Sequence, residues 1–236
     1  MKKLFLLLLI GIMATLVACG NKDNSGAEKE KKTVAQDTET KKAPTESSNE
    51  VKESTTDEEF VKDGTPLSKA GQYNIDKTYG TKIILKKITS PNLSMDLGSL
   101  NLVINDVKIF ERKGAPQEEL DTVFSNSSIP PSDPYYTIQV RYSLENKGSE
   151  SLSYNGFEYL VTDQKQQINV LNELQGGNGV HEIQSGALLE NEYIICVLKP
   201  ENVENINKIT LKTSIVYDTA SYDSVADSKN IDIQFK

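Results

Sequence analysis

The sequence predicts an all-β fold, an antiparallel β-sandwich that follows a long polar amino-terminal stretch. Three observations carry this. Beyond residue 76, apolar and polar residues alternate at period two in several segments, most clearly from Tyr135 to Leu144. Turn residues punctuate those segments at short intervals. Helical periodicity is almost absent.

In chain order, Lys82 to Ile88 reads as the first strand. Leu100 to Phe110 reads as the second, with a change of phase near Asn105-Asp106 that predicts a β-bulge. Gln117 to Phe124 reads as a short helix. In the strand from Tyr135 to Leu144, Tyr136, Ile138, Val140, Tyr142 and Leu144 share one face, expected in the core. Thr137, Gln139, Arg141 and Ser143 share the other, expected to be wet, because polar side chains are not buried without partners. Glu145 to Ser149 is a turn. Strands follow at Leu152–Tyr154 and Phe157–Thr162, and the polar break at Asp163–Gln166 returns the chain along Gln167–Leu171 as a hairpin. Tyr193 to Leu198, Ile209 to Ile215 and Ile231 to Phe235 complete the set.

Two of these segments carry a family likeness. Tyr135-Tyr136-Thr137-Ile138-Gln139-Val140-Arg141-Tyr142-Ser143-Leu144-Glu145-Asn146-Lys147-Gly148 is a long strand ending in an Asn-x-Gly turn. Gly156-Phe157-Glu158-Tyr159-Leu160-Val161-Thr162-Asp163 is an aromatic strand running into a polar hairpin. Together they resemble the immunoglobulin-like, telokin-like domains of Gram-positive bacterial lipoproteins. The likeness spans roughly Leu100 to Phe235. It implies an immunoglobulin-like antiparallel β-sandwich with an extracellular binding or assembly role and no activity.

The amino terminus points the same way. Met1-Lys2-Lys3 is a basic start. Leu4 to Val17 is an apolar run within the ~7–15 residues of a signal h-region and short of the ~20 that span a bilayer. Leu16-Val17-Ala18-Cys19 closely resembles the lipobox of bacterial lipoproteins, which implies cleavage before Cys19 and a diacylglyceryl group, with palmitate-type chains, on its sulfur. Each buried methylene contributes ~0.8 kcal/mol, so two chains on one thioether anchor a protein stably where one does not. The expected organisation is a lipoprotein signal peptide at 1–18, a lipidated Cys19 and disordered linker at 19–75, and a β-sandwich domain at 76–236. From Gly20 to Glu59 the only branched aliphatic residues are Val34 and Val51, and no aromatic occurs. Such a segment cannot offset its conformational entropy by burial. As a flexible coil it spans ~35 Å.

Composition narrows the function. The chain carries a formal charge of −8, which argues against nucleic acid and against a polybasic grip on anionic lipid. With Cys19 lipidated, Cys196 is single, so no disulfide framework is available. Its apolar strand makes it a buried, inert thiol. His181 is the only histidine, so any Ser-His-Asp or Cys-His chemistry must use it; its glycine-rich surroundings place it on a surface loop. Asp218, Asp223 and Asp227 read as a solvated loop, with calcium the open alternative, although no EF-hand spacing occurs. Ile129-Pro130-Pro131-Ser132-Asp133-Pro134 reads as a stiff entry into the long strand rather than a polyproline recognition segment. Gly176-Gly177-Asn178-Gly179 precedes no helix, so a phosphate cradle is weakly supported.

The sequence therefore leads to a membrane-anchored surface lipoprotein whose β-sandwich binds or supports something in the cell envelope, without catalysis. Its expected partners are the membrane, through lipid on Cys19, and an envelope protein or the cell wall; neither nucleic acid nor any cofactor or metal is expected. The rival reading is the substrate-binding component of a transporter, a class usually built as two α/β lobes.

Overall fold

The computed structural model describes residues 58–62 and 64–235, all within one unit, Lys52–Lys236. The expected signal peptide, the Cys19 lipidation site and residues 19–57 of the expected linker lie outside the described residues.

The strands run β1 (Glu59–Phe60), β2 (Gln72–Ile75), β3 (Lys82–Thr89), β4 (Leu93–Leu97) and β5 (Leu100–Lys113). Helix α1 (Gln117–Val123) precedes β6 (Tyr135–Asn146), β7 (Leu152–Tyr154), β8 (Phe157–Thr162) and β9 (Gln167–Asn169). A single turn of helix, α2 (Val170–Glu173), leads to β10 (Gly176–Gly177), β11 (His181–Ile183) and β12 (Leu188–Leu198). After a 3-10 turn at Pro200–Asn205 come β13 (Lys208–Thr213), β14 (Val216–Asp218), β15 (Ser224–Ala226) and β16 (Asn230–Gln234).

The fold is an all-β sandwich. Its large sheet has the order β1-β2-β3-β5-β6-β12-β10, with β4 also pairing β5. Two smaller sheets, β11-β7-β14-β15 and β16-β13-β8-β9, supply the opposing layer. Leu102, Ile104, Val140, Tyr142, Ile194 and Cys196 of the large sheet join Tyr154, Phe157, Leu160, Ile209, Leu211 and Ile231 of the small ones in one buried cluster. The two-lobed α/β architecture of the transporter reading is not the one found.

The phase of β6 matches the expectation. Ile138, Val140, Tyr142 and Leu144 are fully buried in that cluster. The bulge in β5 also lies where the change of phase puts it, since pairing with β6 slips between Ile104 and Asp106. The physical reason is plain. Leu100, Leu102 and Ile104 point inward before the slip, and Val107 and Ile109 after it. Without the extra residue, Asp106 and Lys108 would enter the core as charges.

The Asn-x-Gly turn is held by its asparagine. Asn146 is buried; its Nδ2 donates to the carbonyls of Glu150 (2.8 Å) and Ile183 (3.0 Å), and its Oδ1 accepts from the Gly148 amide (2.9 Å). A Cβ on Gly148 would stand 2.9 Å from Ser99 Cβ, which is why the turn closes on glycine.

Four expectations need correction. Residues 59–75 were expected within the linker, but β1 and β2 extend the large sheet there, β1 parallel to β2 and β2 antiparallel to β3. The return along Gln167–Leu171 is strand only to Asn169; the Asn169 side chain then accepts from the Asn172 amide and starts α2. The outer face of β6 is not uniformly wet: Thr137 and Tyr135 are buried there, Tyr135 beside Phe124, Leu120, Ile129 and Val197 in a second small core. Helix α1 makes this cover, and Glu119 pins it, accepting from Tyr135 Oη (2.5 Å) and from Thr81 Oγ1. His181, expected at the surface, is buried.

Candidate functional site

The covered end of the outer face gives way, along the same strands, to an open cleft of about 310 Å3. Its floor follows from the register. Lys108 of β5 faces Gln139 of β6, which faces Ile195 of β12. Arg112 faces Ile83 of β3, which faces Asn74 of β2. Phe110 lies between Lys108 and Arg112 on β5, and Arg141 lies two residues beyond Gln139, so period two places all of them on one face. Thr65, Pro66 and Leu67, from the loop between β1 and β2, form the remaining wall.

The electrostatics are concentrated. Arg141 Nη2 pairs with Asp106 Oδ2 across the bulge. Arg112 Nε donates to Thr137 Oγ1 at 3.4 Å, and its guanidinium lies 5.9 Å from the Tyr135 ring. Lys108 is only 7% exposed, and its ammonium has no hydrogen bond or ion pair among the described residues. Burial holds that ammonium below the ordinary lysine value; Asp106 opposes the shift and Arg141 adds to it.

Buried polar side-chain atoms are normally paired, so exceptions carry information. Among the described residues the unpaired ones are Asn74 Oδ1, Asp106 Oδ1, Arg141 Nε and Tyr154 Oη. Asn74 and Arg141 line the cleft, and Asp106 is the Arg141 partner. The arrangement presents forked and point-like cationic donors beside an apolar wall of Phe110, Ile83 and Ile195. Among the residues that line it, no nucleophile is paired with a base.

The residues singled out in the sequence lie elsewhere. Cys196 is buried in β12, and burial pushes its thiol up to about 12, so it is inert. His181 is 4% exposed, with Nε2 2.9 Å from Tyr142 Oη and Nδ1 3.8 Å from Glu192 Oε2, and the Tyr154 ring is stacked over it. Burial lowers its pKa, while Glu192 and the Asn178 carbonyl work the other way. Asp218 accepts from the amides of Ala220 and Ser221 (2.8 Å each), bonds that hold its carboxyl below the usual range. Its oxygens thus organise their own loop, and among the described residues no group of three or more His, Cys, Asp or Glu side chains gathers as metal ligands. Asp133 accepts from the Gly114 amide (2.8 Å) and Ile129 enters the small core, so the proline segment is a packed approach to β6. Gly177 has φ +93°, and a Cβ there would collide with the Tyr193 carbonyl; the glycines permit β10 to pair with β12.

Sequence reasoning missed the cleft. Its lining comes from β2, β3, β5, β6, β12 and a loop assigned to the linker, and only the register brings these together. The one available signal was the pairing of Lys108 and Arg112 with the polar face of β6.

No protein-family model matches the chain, and no curated protein does. Among solved structures, a functionally unknown protein from Listeria monocytogenes EGD-e is similar at 14% identity and a TM-score of 0.46, over 66% of this chain and 88% of that one. The yjhA protein from Bacillus subtilis is similar at 17% identity and a TM-score of 0.41, over 60% of this chain and 95% of that one. The chain is thus similar, in part and at low identity, to uncharacterised proteins of two Gram-positive bacteria.

Proposed function

We propose that the protein is a membrane-anchored surface lipoprotein of the telokin-like kind, whose β-sandwich binds a partner in the cell envelope through the outer cleft. The observation that carries the binding reading is the cleft itself, with unpaired buried polar atoms and an unpaired ammonium beside an apolar wall. The anchoring reading rests on Leu16-Val17-Ala18-Cys19 and on the polar stretch that follows. A non-catalytic role is supported by the locked state of the usual reactive groups, since His181 is packed under Tyr154 and Cys196 is held as a thiol.

Two measurements test this. Cells given a labelled fatty acid incorporate it into the wild-type chain and not into a Cys19→Ala variant; label retained by the variant overturns the anchor. Gln139→Trp fills the cleft floor from a half-buried position. Purified full-length protein is retained on delipidated envelope fragments, and Gln139→Trp with unchanged circular dichroism is released. Equal retention of the two overturns the cleft as the binding face.

A further inference from the structure

We infer that the outer cleft binds the phosphate group of an organic phosphate, with the carbon stem of the ester along the apolar wall. This rests on the reading of the cleft as the binding face and goes beyond it by naming the chemistry bound. Lys108, Arg112 and Arg141 line the cleft, and Asp106 is the acid paired into it. Three cations against one carboxylate leave two positive charges uncompensated. A phosphate monoester carries about −1.5 to −2 near neutral pH, whereas a monocarboxylate carries half of that. The donors also fit by shape. A guanidinium is a planar fork suited to two oxygens of one oxyanion, and a lysine ammonium is a compact point charge that takes a third.

Lys108 carries the most weight. Its stem is buried, while its ammonium reaches the cleft without an acceptor among the described residues. Arg141 Nε, a buried donor without a partner, belongs to the same lining. An oxyanion seated between Lys108 and Arg141 supplies the missing acceptor to both at once. Phe110, Ile83, Ile195, Leu67 and Pro66 then offer surface to a carbon stem. The whole chain is at −8, so its overall field does not draw anions. Recognition is therefore a matter of contact in the cleft, not of bulk charge. A phosphate monoester of this kind occurs on a soluble glycerol ester and on the headgroup of phosphatidic acid, and the chemistry recognised is the same.

The test is calorimetric titration of the full-length chain in non-ionic detergent with glycerol phosphate, with glutarate as a dianionic carboxylate control and glycerol as the uncharged control. Wild type binds glycerol phosphate saturably, more weakly as salt is raised, and glycerol produces no binding. Lys108→Met keeps the stem and removes the charge, weakening affinity about tenfold or more, the loss of one charge-assisted contact. Lys108→Gln is the second variant should Lys108→Met fail to fold, with the same expected loss. Micelles doped with phosphatidic acid separate the sources: tighter binding there assigns a lipid headgroup, tighter binding of free glycerol phosphate assigns a soluble ester, and either supports the inference. Absence of saturable binding by wild type, or wild-type affinity in both folded variants, overturns it. Glutarate bound as tightly as glycerol phosphate overturns the phosphate assignment while leaving the cleft as a binding face, which the envelope-retention measurement decides separately.

Discussion

Tyr142 Oη lies 2.9 Å from Nε2 of His181, and the same hydroxyl donates to the Asn178 carbonyl at 3.0 Å. Tyr142 is fully buried and meets Phe157 edge to face, ring centroids 5.2 Å apart. The contact ties β6 of the large sheet to β11 of a small one, so an imidazole sits at the joint between the two layers.

That position gives stability a defined pH dependence. The folded-state pKa of His181 is lowered, chiefly by burial, whereas the unfolded chain titrates near 6.5. Between those values the unfolded state binds more protons. Stability is therefore full above about pH 6.5 and is lost as pH falls toward the folded pKa. Urea midpoints measured from pH 7.5 to pH 5 should decline for wild type and stay nearly flat for His181→Gln. A decline of equal size in His181→Gln would assign the effect to another group.

Tyr154 stacks on the same imidazole, but its hydroxyl is buried without a partner among the described residues. An unsatisfied buried donor costs about 1–3 kcal/mol. Tyr154→Phe should keep the ring contact and raise stability by up to about that amount in urea denaturation. A loss of stability would show that the hydroxyl is paired.

The strand phase of β6 is testable with adjacent residues. Val140 is fully buried, so Val140→Asp should cost several kcal/mol against a total of about 5–15 kcal/mol. Gln139 lines the cleft, facing Lys108 and two residues from Arg141. Gln139→Asp should cost under about 1 kcal/mol, because the new carboxylate gains cationic neighbours. The same substitution gives Lys108 an internal partner and should weaken anion binding. Chemical denaturation of both variants gives the comparison.

Asn146 is a further position with a sharp expectation. Asn146→Ala leaves the Ile183 carbonyl without its side-chain donor and frees the Gly148 amide. The expected loss is about 2–4 kcal/mol, from several buried hydrogen bonds broken together. Asn146→Asp keeps an acceptor for Gly148 but sets a buried carboxylate oxygen against the two carbonyls, so it should cost at least as much as Asn146→Ala; a smaller loss would show that the two donated bonds contribute little.

How far the fold was legible follows from which physical signal each element leaves. Tyr135 to Leu144 alternates over many residues, and its inward face was fixed by burial of Val140 and Tyr142. The bulge was legible because a phase slip leaves Asp106 and Lys108 on the wrong face. The Asn146-Lys147-Gly148 turn carries its own side-chain chemistry. By contrast β1 is two residues long, and β2, Gln72–Ile75, is half polar; neither carries a period, and both follow a stretch with almost no aliphatic residue. His181 sits among glycines that mark a loop, yet its side chain turns inward between Tyr142 and Tyr154. That choice is tertiary and leaves no local pattern. The cleft was hidden for the same reason, because Lys108 and Arg141 on a strand's polar face look like ordinary solvated charges until Leu67 and Asn74 are placed beside them.

The strand at the edge of the large sheet has a mechanical consequence. β1 holds β2 through two parallel residue pairs, Glu59 with Gln72 and Phe60 with Tyr73, braced by the Lys82–Glu58 ion pair and the Phe60–Tyr73 ring contact at 5.6 Å. The loop between these strands is the wall carrying Pro66 and Leu67. Tension entering the fold from the amino-terminal side is borne first by this short junction, before it reaches any strand of the core. Among the described residues, the loop that follows this junction is the one that forms the cleft wall, so a pull on β1 would act on that wall before it acted on the paired strands of the core.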